Sequence, residues 1–233
     1  MMPQTPGRIY LADQHGTLTT AQSSRRSVFS FGPYQDAQRP ALGRLLAFNE
    51  ETLSGGQHLT LPADQAAYCL LLPLTGEIGC GDALSQELVQ VEQVWVGLVP
   101  NGHQLVLSNP YTDVAVSFLH MWLAADTASA QPRADVIEYT FQQLENGLAY
   151  LVSPADQQWP FALSLGRFMG RQEDVYRLHN ADSSFFTYVL AGAFEVEGRL
   201  LHPKDGLALW QVQEVELEAL SNNALVVMLE VCQ

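Results

Sequence analysis

The chain has 233 residues, with 25 acidic against 11 basic side chains and a net charge of −14; hydrophobic residues make up 47% and charged ones 15%. So few charges exclude a disordered acidic protein. The negative balance excludes a phosphate-reading surface, which needs clustered Lys and Arg, and no apolar run approaches the roughly 18 residues of a membrane span.

Met1 to Gly7 has no basic stretch followed by an apolar one, so it reads as a cytoplasmic start. The length suits one large β domain or two of about 100–120 residues. Arg25-Arg26 is an isolated basic pair, and the surrounding negative charge reads as solubility. Tyr68 to Leu74 is a continuous apolar run, which suits a strand covered on both faces. Gly55-Gly56, Pro73, Gly76, Gly79, Gly81, Pro100 and Gly102 punctuate the first half. That density of turns favours a β sandwich or barrel over a βαβ sheet. Three cysteines without CxxC spacing (Cys69, Cys80, Cys232) read as reduced thiols rather than a disulfide frame or zinc site. Ala124 to Pro132 is small, polar and Pro-terminated, as a linker would be. Val136 to Leu144 suits either a helix or an extended segment. Phe194-Glu195-Val196-Glu197 and Val215-Glu216-Leu217-Glu218 alternate apolar and acidic, as half-buried strands do. Leu74-Thr75-Gly76 recurs as Leu190-Ala191-Gly192, 116 residues later. With the central linker, this echo suggests two copies of one β domain.

The segment Ser27-Val28-Phe29-Ser30-Phe31-Gly32-Pro33-Tyr34-Gln35-Asp36 resembles the HTFSFGxYxD opening of the pirin family, bicupins that include bacterial quercetinase-like proteins. Gly43 to Glu51 is similar to that family's GxLRVINED block. Asn109-Pro110 followed by Phe118-Leu119-His120-Met121-Trp122-Leu123 is similar to its N-P…LQIW strand. Phe186 to Gly192, Val196-Glu197-Gly198 and Lys204 to Ala208 resemble its C-terminal pattern. The resemblance implies an all-β fold of two tandem cupin barrels (double-stranded β-helix, or jelly-roll) packed on each other. The N-terminal pirin-like cupin would span residues 1–125 and the C-terminal cupin residues 126–233. It also implies where a metal would sit, since the family's N-terminal barrel usually holds one ion, often iron, by three His and one Glu. Two of those His stand at i and i+2, so strand alternation aims both inward. Counted from Gly76, these two positions fall on Pro62 and Asp64. The third histidine falls on Cys80 and the glutamate on Leu107. Pro and Leu side chains cannot ligate an ion. A register slipped near His103 would instead gather Asp64, Cys80 and His103 as a partial zinc or iron site.

The expected function is therefore a metal-free pirin-like bicupin, non-catalytic, that binds a small organic ligand or a protein partner. Its candidate N-terminal cavity comprises Asp64, Tyr68, Cys80, Leu105 and Leu107, with His58 and His103 as further polar candidates. The simpler expectation is that the apolar substitutions fill the barrel and leave function to its surface. The alternative is a metal-dependent, quercetinase-like dioxygenase with a non-standard site. No cofactor is expected, or at most one iron or other divalent ion in the N-terminal barrel. A transcription-cofactor role, as described for some pirins, would need a protein partner. Nucleic-acid and membrane partners are not expected, and a homodimer through an exposed sheet edge is open. His58 reads equally as a solvated strand-end residue, His103 as a loop-tip residue after the Asn101-Gly102 turn, and His120 as a core-edge histidine with a hydrogen-bond partner. Asp82 matches a position that is largely structural in the family. Cys80 reads as a buried thiol. Ser-His-Asp hydrolysis has no G-x-S-x-G elbow to support it, and no G-x-G-x-x-G or phosphate loop is present. Trp159, Phe185, Phe186 and Trp210 are expected in the C-terminal core.

Overall fold

The computed structural model describes residues 5–82, 84–126, 133–154 and 159–232. These form 21 strands and one 3-10 turn, Ala12–Gln14. In chain order the strands are β1 (Gly7–Tyr10), β2 (Gly16–Thr19), β3 (Ser23–Ser27), β4 (Leu45–Leu53), β5 (His58–Pro62), β6 (Ala67–Pro73) and β7 (Glu77–Gly81). There follow β8 (Gln86–Gln90), β9 (Gln93–Val99), β10 (Gln104–Ser108), β11 (Val116–Ala124), β12 (Ala134–Glu138), β13 (Leu148–Val152) and β14 (Phe161–Phe168). The last are β15 (Glu173–Arg177), β16 (Ser184–Ala191), β17 (Phe194–Val196), β18 (Arg199–Leu201), β19 (Gly206–Leu209), β20 (Glu214–Ala219) and β21 (Ala224–Val231).

They divide into two compact units, His15–Glu138 and Tyr139–Gln233, the latter completed by Met1–Gln14. The first unit pairs a large sheet, β12-β9-β6-β11-β4-β3-β2, with a small one, β5-β10-β7-β8. The second repeats this plan, with β1-β19-β16-β21-β14-β13 and β15-β20-β17-β18. Adding ten to each strand number of the first unit reproduces the small sheet of the second. The echo noted in the sequence falls where it should: Gly76 follows β6, Gly192 follows β16, and both hold a left-handed backbone (φ +64° and +72°). A Cβ at either position would also press on neighbouring atoms at 3.0 Å or less. β6 lies between β9 and β11, covered on both faces, which is why its sequence is apolar throughout rather than alternating. The exposed-buried alternation of β17 and β20 is likewise seen.

Two features differ from expectation, the place of Trp210 and the division of the chain. Val136 to Leu144, open between a helix and an extended segment, begins extended: Ala134–Glu138 finds ladder partners in Gln93–Gly97, and the chain turns at Phe141 to Leu144. Residues 127–132 of the expected linker lie outside the described residues. Trp210 is exposed beyond the end of β19 and donates its backbone N–H to Pro6, whereas Trp159, Phe185 and Phe186 are core as expected. The units also divide the chain differently from a cut between residues 125 and 126. β12 closes the edge of the first large sheet, pairing with β9, and β1 closes the edge of the second, pairing with β19. Each edge strand thus precedes, in the chain, the unit it does not belong to. The N-terminal segment is held further by Ala12 N–H donating to Asp205 Oδ1 (2.8 Å) and by the Thr5 hydroxyl donating to Glu197 (2.6 Å).

Removing residues 1–11 strips a strand from the second unit and leaves the first intact. Hydrogen exchange should then lose protection at Gly206–Leu209, while β4, β6 and β11 keep theirs; equal loss in both units would contradict the division.

Candidate functional site

The inner face of the first unit follows from register. Leu59 and Leu61 of β5 stand opposite Leu107 and Leu105 of β10, and Leu107 stands opposite Cys80 of β7. Leu61, Ala63, Cys80, Leu105 and Leu107 are buried in one apolar cluster with Cys69, Leu71 and Trp122. Pro62 faces the other way, opposite the exposed Gln104, and Asp64 is exposed. Asp64 is therefore not the inward ligand replacement that counting from Gly76 suggested. A one-residue offset in the β5–β6 connection exchanges the two faces of β5. Tyr68 is also outside the cavity. It lies on the face of β6 opposite Cys69 and Leu71, packed on Ala66, Leu98 and Ala125. His58 and His103 are both exposed. His103, Leu105 and Asp82 instead line a separate groove of about 280 Å³. Asp82 caps a turn, accepting the backbone N–H groups of Leu84 and Ser85 at 2.7 and 2.8 Å, and these bonds hold its carboxyl below the usual range.

The donors expected of a metal-bearing cupin do not come together. Asp64, Cys80 and His103 point to three different environments. Among the described residues no group of three or more His, Cys, Asp or Glu can hold an ion. Burial, with nearby Cys69 and Glu87, pushes the Cys80 thiol well above its ordinary pKa, which keeps it protonated among leucines. A protonated thiol and apolar neighbours are a poor ligand set for any divalent ion.

The polar chemistry of this interior sits on the opposite wall. β3, β4 and β11 place Arg25 beside Glu51 and Phe118 in one cross-strand row, and Ser27 beside Asn49 and His120 in the next. All five polar residues are buried. Arg25 Nε donates to Glu51 Oε2 at 2.5 Å, and the Trp122 indole N–H donates to His120 Nδ1 at 3.0 Å. Because the indole can only donate, the proton of the neutral imidazole resides on Nε2, which faces Glu51 Oε2 at 3.4 Å. Burial lowers the His120 pKa against the pull of Glu51, so the ring stays neutral and the ion pair has one cation. Both polar atoms of the Asn49 amide and Glu51 Oε1 find no hydrogen-bond partner among the described residues.

Above this row opens a cleft of about 580 Å³, with apolar walls that include Leu18, Leu46, Leu59 and Trp122. The segment that carried the pirin resemblance builds one wall. Phe31 and Tyr34 exchange backbone hydrogen bonds around Gly32-Pro33, and Gly32 takes φ +55°, which only glycine adopts at little cost. The Phe31 ring lies 4.9 Å from the Arg25 guanidinium and 5.6 Å, edge-on, from the His120 ring. Tyr34 in turn packs so closely on Gly16 that a Cβ there would fall 2.3 Å from its ring. The sequence did contain a signal for this wall. Arg25-Arg26 is not isolated: in the antiparallel ladder it stands opposite Glu51 and Glu50, a charge complement readable once the two strands are paired.

Residues 160–231 match a family model described as the quercetinase C-terminal cupin domain. Among solved structures, YhhW from Escherichia coli aligns over 97% of both chains with TM-score 0.86 and 18% identity. It is a bacterial pirin also solved in complex with nickel(II). The chain is a bicupin of the pirin fold. A quercetin 2,3-dioxygenase from Acinetobacter baumannii aligns over all of this chain and 88% of its own, with TM-score 0.76 and 14% identity. No curated protein matches by sequence. At these identities the pirin likeness describes the fold, and activity has to be argued from the side chains.

The C-terminal cupin of this pirin-like chain has its own buried carboxylate. Glu230 accepts the Tyr176 hydroxyl at 2.9 Å, His179 Nδ1 at 2.8 Å, and the backbone N–H groups of His179 and Asn180 at 2.9 and 3.1 Å. Ser153 Oγ stands 3.5 Å from His179 Nε2, at the limit of a hydrogen bond. The hydroxyl, imidazole and carboxylate thus stand in sequence, an arrangement that no sequence motif announces. Most of the bonds to Glu230 come from the segment after β15, so the carboxylate ties that segment to β21.

Two outcomes follow for stability. Glu51→Ala should cost about 3–5 kcal/mol in urea unfolding, because it strands the Arg25 charge, while Arg25→Met with Glu51→Leu should recover most of that loss. Burial raises the Glu230 pKa, but the hydrogen bonds from His179 and Tyr176 outweigh it and leave it below its ordinary 4.5. Its contribution is then complete above the unfolded value and is lost as pH falls through the folded one. Glu230→Gln should flatten that acid limb in denaturation curves recorded at stepped pH; an unchanged slope would show that Glu230 does not carry it.

Proposed function

We propose that this bicupin works without a metal, as a binding protein for a small organic molecule seated in the cleft above Arg25. The observation that carries the reading is the contrast between the two inner walls. Where the fold would present ion ligands stand Leu61, Ala63, Leu105 and Leu107, and beside them an apolar cleft of about 580 Å³ opens onto one buried cation. Its size falls in the usual range for small-molecule sites, roughly 300–1,000 Å³. The apolar side chains of the first unit fill the barrel interior and leave space next to it.

A quercetinase-like dioxygenase reaction would need ligands at the centre of the barrel, and the apolar cluster there supplies two thiols, Cys69 and Cys80, that burial keeps protonated. The nickel of YhhW belongs to that protein's site. Three free cysteines suit a reducing compartment, and a cytoplasmic location is part of the proposal. Among the described residues no helix is long and apolar enough to cross a membrane.

Elemental analysis of protein purified without tag or chelator tests the first half of the proposal. Iron, nickel, zinc and copper should each be well below one per chain, and added nickel(II) or iron(II) should leave the melting temperature unchanged. One tightly held ion per chain would overturn it and make an oxygenase assay the next step.

A further inference from the structure

We infer that the ligand of this cleft is an apolar monocarboxylate, held by its head group on the Arg25 guanidinium. The inference rests on the binding reading above and specifies its chemistry. Arg25 is 8% exposed and is one of the residues that line the cleft. One side of the guanidinium is committed, since Nε donates to Glu51 and the Phe31 ring covers a face. NH1 and NH2 have no hydrogen-bond partner among the described residues. NH1 lies 3.7 Å from where a Cβ would stand on Gly32, so the glycine leaves that approach open.

A buried guanidinium with a free pair of N–H groups is a demanding neighbour. These N–H groups are not among the sealed, unpartnered atoms of the interior, so a ligand can reach them, and an acceptor that meets both replaces water without leaving a donor unmade. A planar carboxylate does so with two parallel bonds, which a hydroxyl or an ammonium cannot. Glu51 adds to this by fixing the guanidinium before the ligand arrives, so little side-chain freedom is lost on binding.

Glu51 already balances the Arg25 charge, so the head group is held by the geometry of its hydrogen bonds, and a single negative group leaves the least charge uncompensated. Among the described residues Arg25 is the only basic side chain lining the cleft, and the other ionised group there is the acidic Asp64 at the exposed rim. His120 stays neutral behind the pair. A dicarboxylate or a phosphate ester would bring charge that nothing in the cleft balances. The rest of the molecule meets Leu18, Leu46, Leu59, Phe31 and Trp122, so it is apolar, aliphatic or aromatic.

The test uses the full chain at neutral pH with three acids, octanoate, 4-phenylbutyrate and 2-naphthoate, each set against its own carboxamide. Calorimetry gives affinities, and amide shift mapping by NMR locates the site. At least one acid should bind with shifts centred on Arg25, Phe31 and Trp122, about tenfold or more tighter than its amide. Arg25→Lys keeps the charge beside Glu51 but loses the fork, and should erase that preference. Should this variant fail to fold, the acid–amide comparison on the unaltered protein decides alone. Equal binding of acid and amide, a preference that survives Arg25→Lys, or shifts confined to the groove near His103 would each overturn the carboxylate assignment while leaving a binding protein. If no acid and no amide perturbs the cleft, both the assignment and the binding reading fall.

Discussion

The N-terminal unit is organised around one buried contact, the Arg25–Glu51 ion pair. Two charges inside a barrel are costly to desolvate, and the pair offsets that cost only while its geometry holds. That requirement reaches outward. It fixes the β3–β4 register, because Arg25 and Glu51 must be opposite one another. It sets the face that His120 presents, and through His120 the orientation of the Trp122 indole. It gives the Phe31 ring a cation to lie on, which positions the Gly32-Pro33 turn over the cleft. The site is therefore a consequence of how one ion pair is packed rather than an addition to a finished barrel.

The two inner walls of the same unit have opposite characters. The small sheet contributes only apolar residues and a cysteine to the buried cluster; the large sheet adds Leu71, Phe118 and Trp122 to it but also carries the buried Arg25, Asn49, Glu51 and His120. A cupin that held an ion would need its donors on the first wall. Here the polarity lies on the second, at residues that belong to the strands most distinctive in the sequence. The barrel thus keeps a polar interior on the wall that β3, β4 and β11 build, where hydrogen bonds and one ion pair hold it.

Much of the architecture was legible in the residues, and the reasons are physical. A central strand must be apolar on both faces, so Tyr68 to Leu74 announces β6. A left-handed turn needs glycine, so Gly76 and Gly192 mark equivalent corners of two similar units. The ordered motifs of the pirin resemblance fix the topology. The site was less legible because it depends on parity and on pairing. Strand faces alternate, so one residue of uncertainty between Pro62 and Gly76 is enough to turn Asp64 from inward to outward and to misplace Tyr68. Arg25 is silent until its partner strand is known, since Glu51 is 26 residues away. Ala134–Glu138 has weak periodicity of its own and becomes a strand by virtue of the edge it meets, which is tertiary context overriding local pattern. Trp210 looks like core by residue type, but it sits past the end of a strand, where the chain leaves the sheet.

The edge strands have a consequence for how the protein is made. β12 emerges about forty residues after its partner β9, so the first unit can close while the chain is still growing. β1 is made about 200 residues ahead of its partner β19, since Gly7 pairs with Leu209. At roughly 5–20 residues per second, that strand waits on the order of 10–40 s before its partner exists. During that time it must stay soluble without a sheet to join, and its composition, GRIY followed by an acidic turn, offers little for another strand to template on. The second unit is thus sealed by a strand made before the whole of the first unit, so it can close only after the first unit has been synthesised.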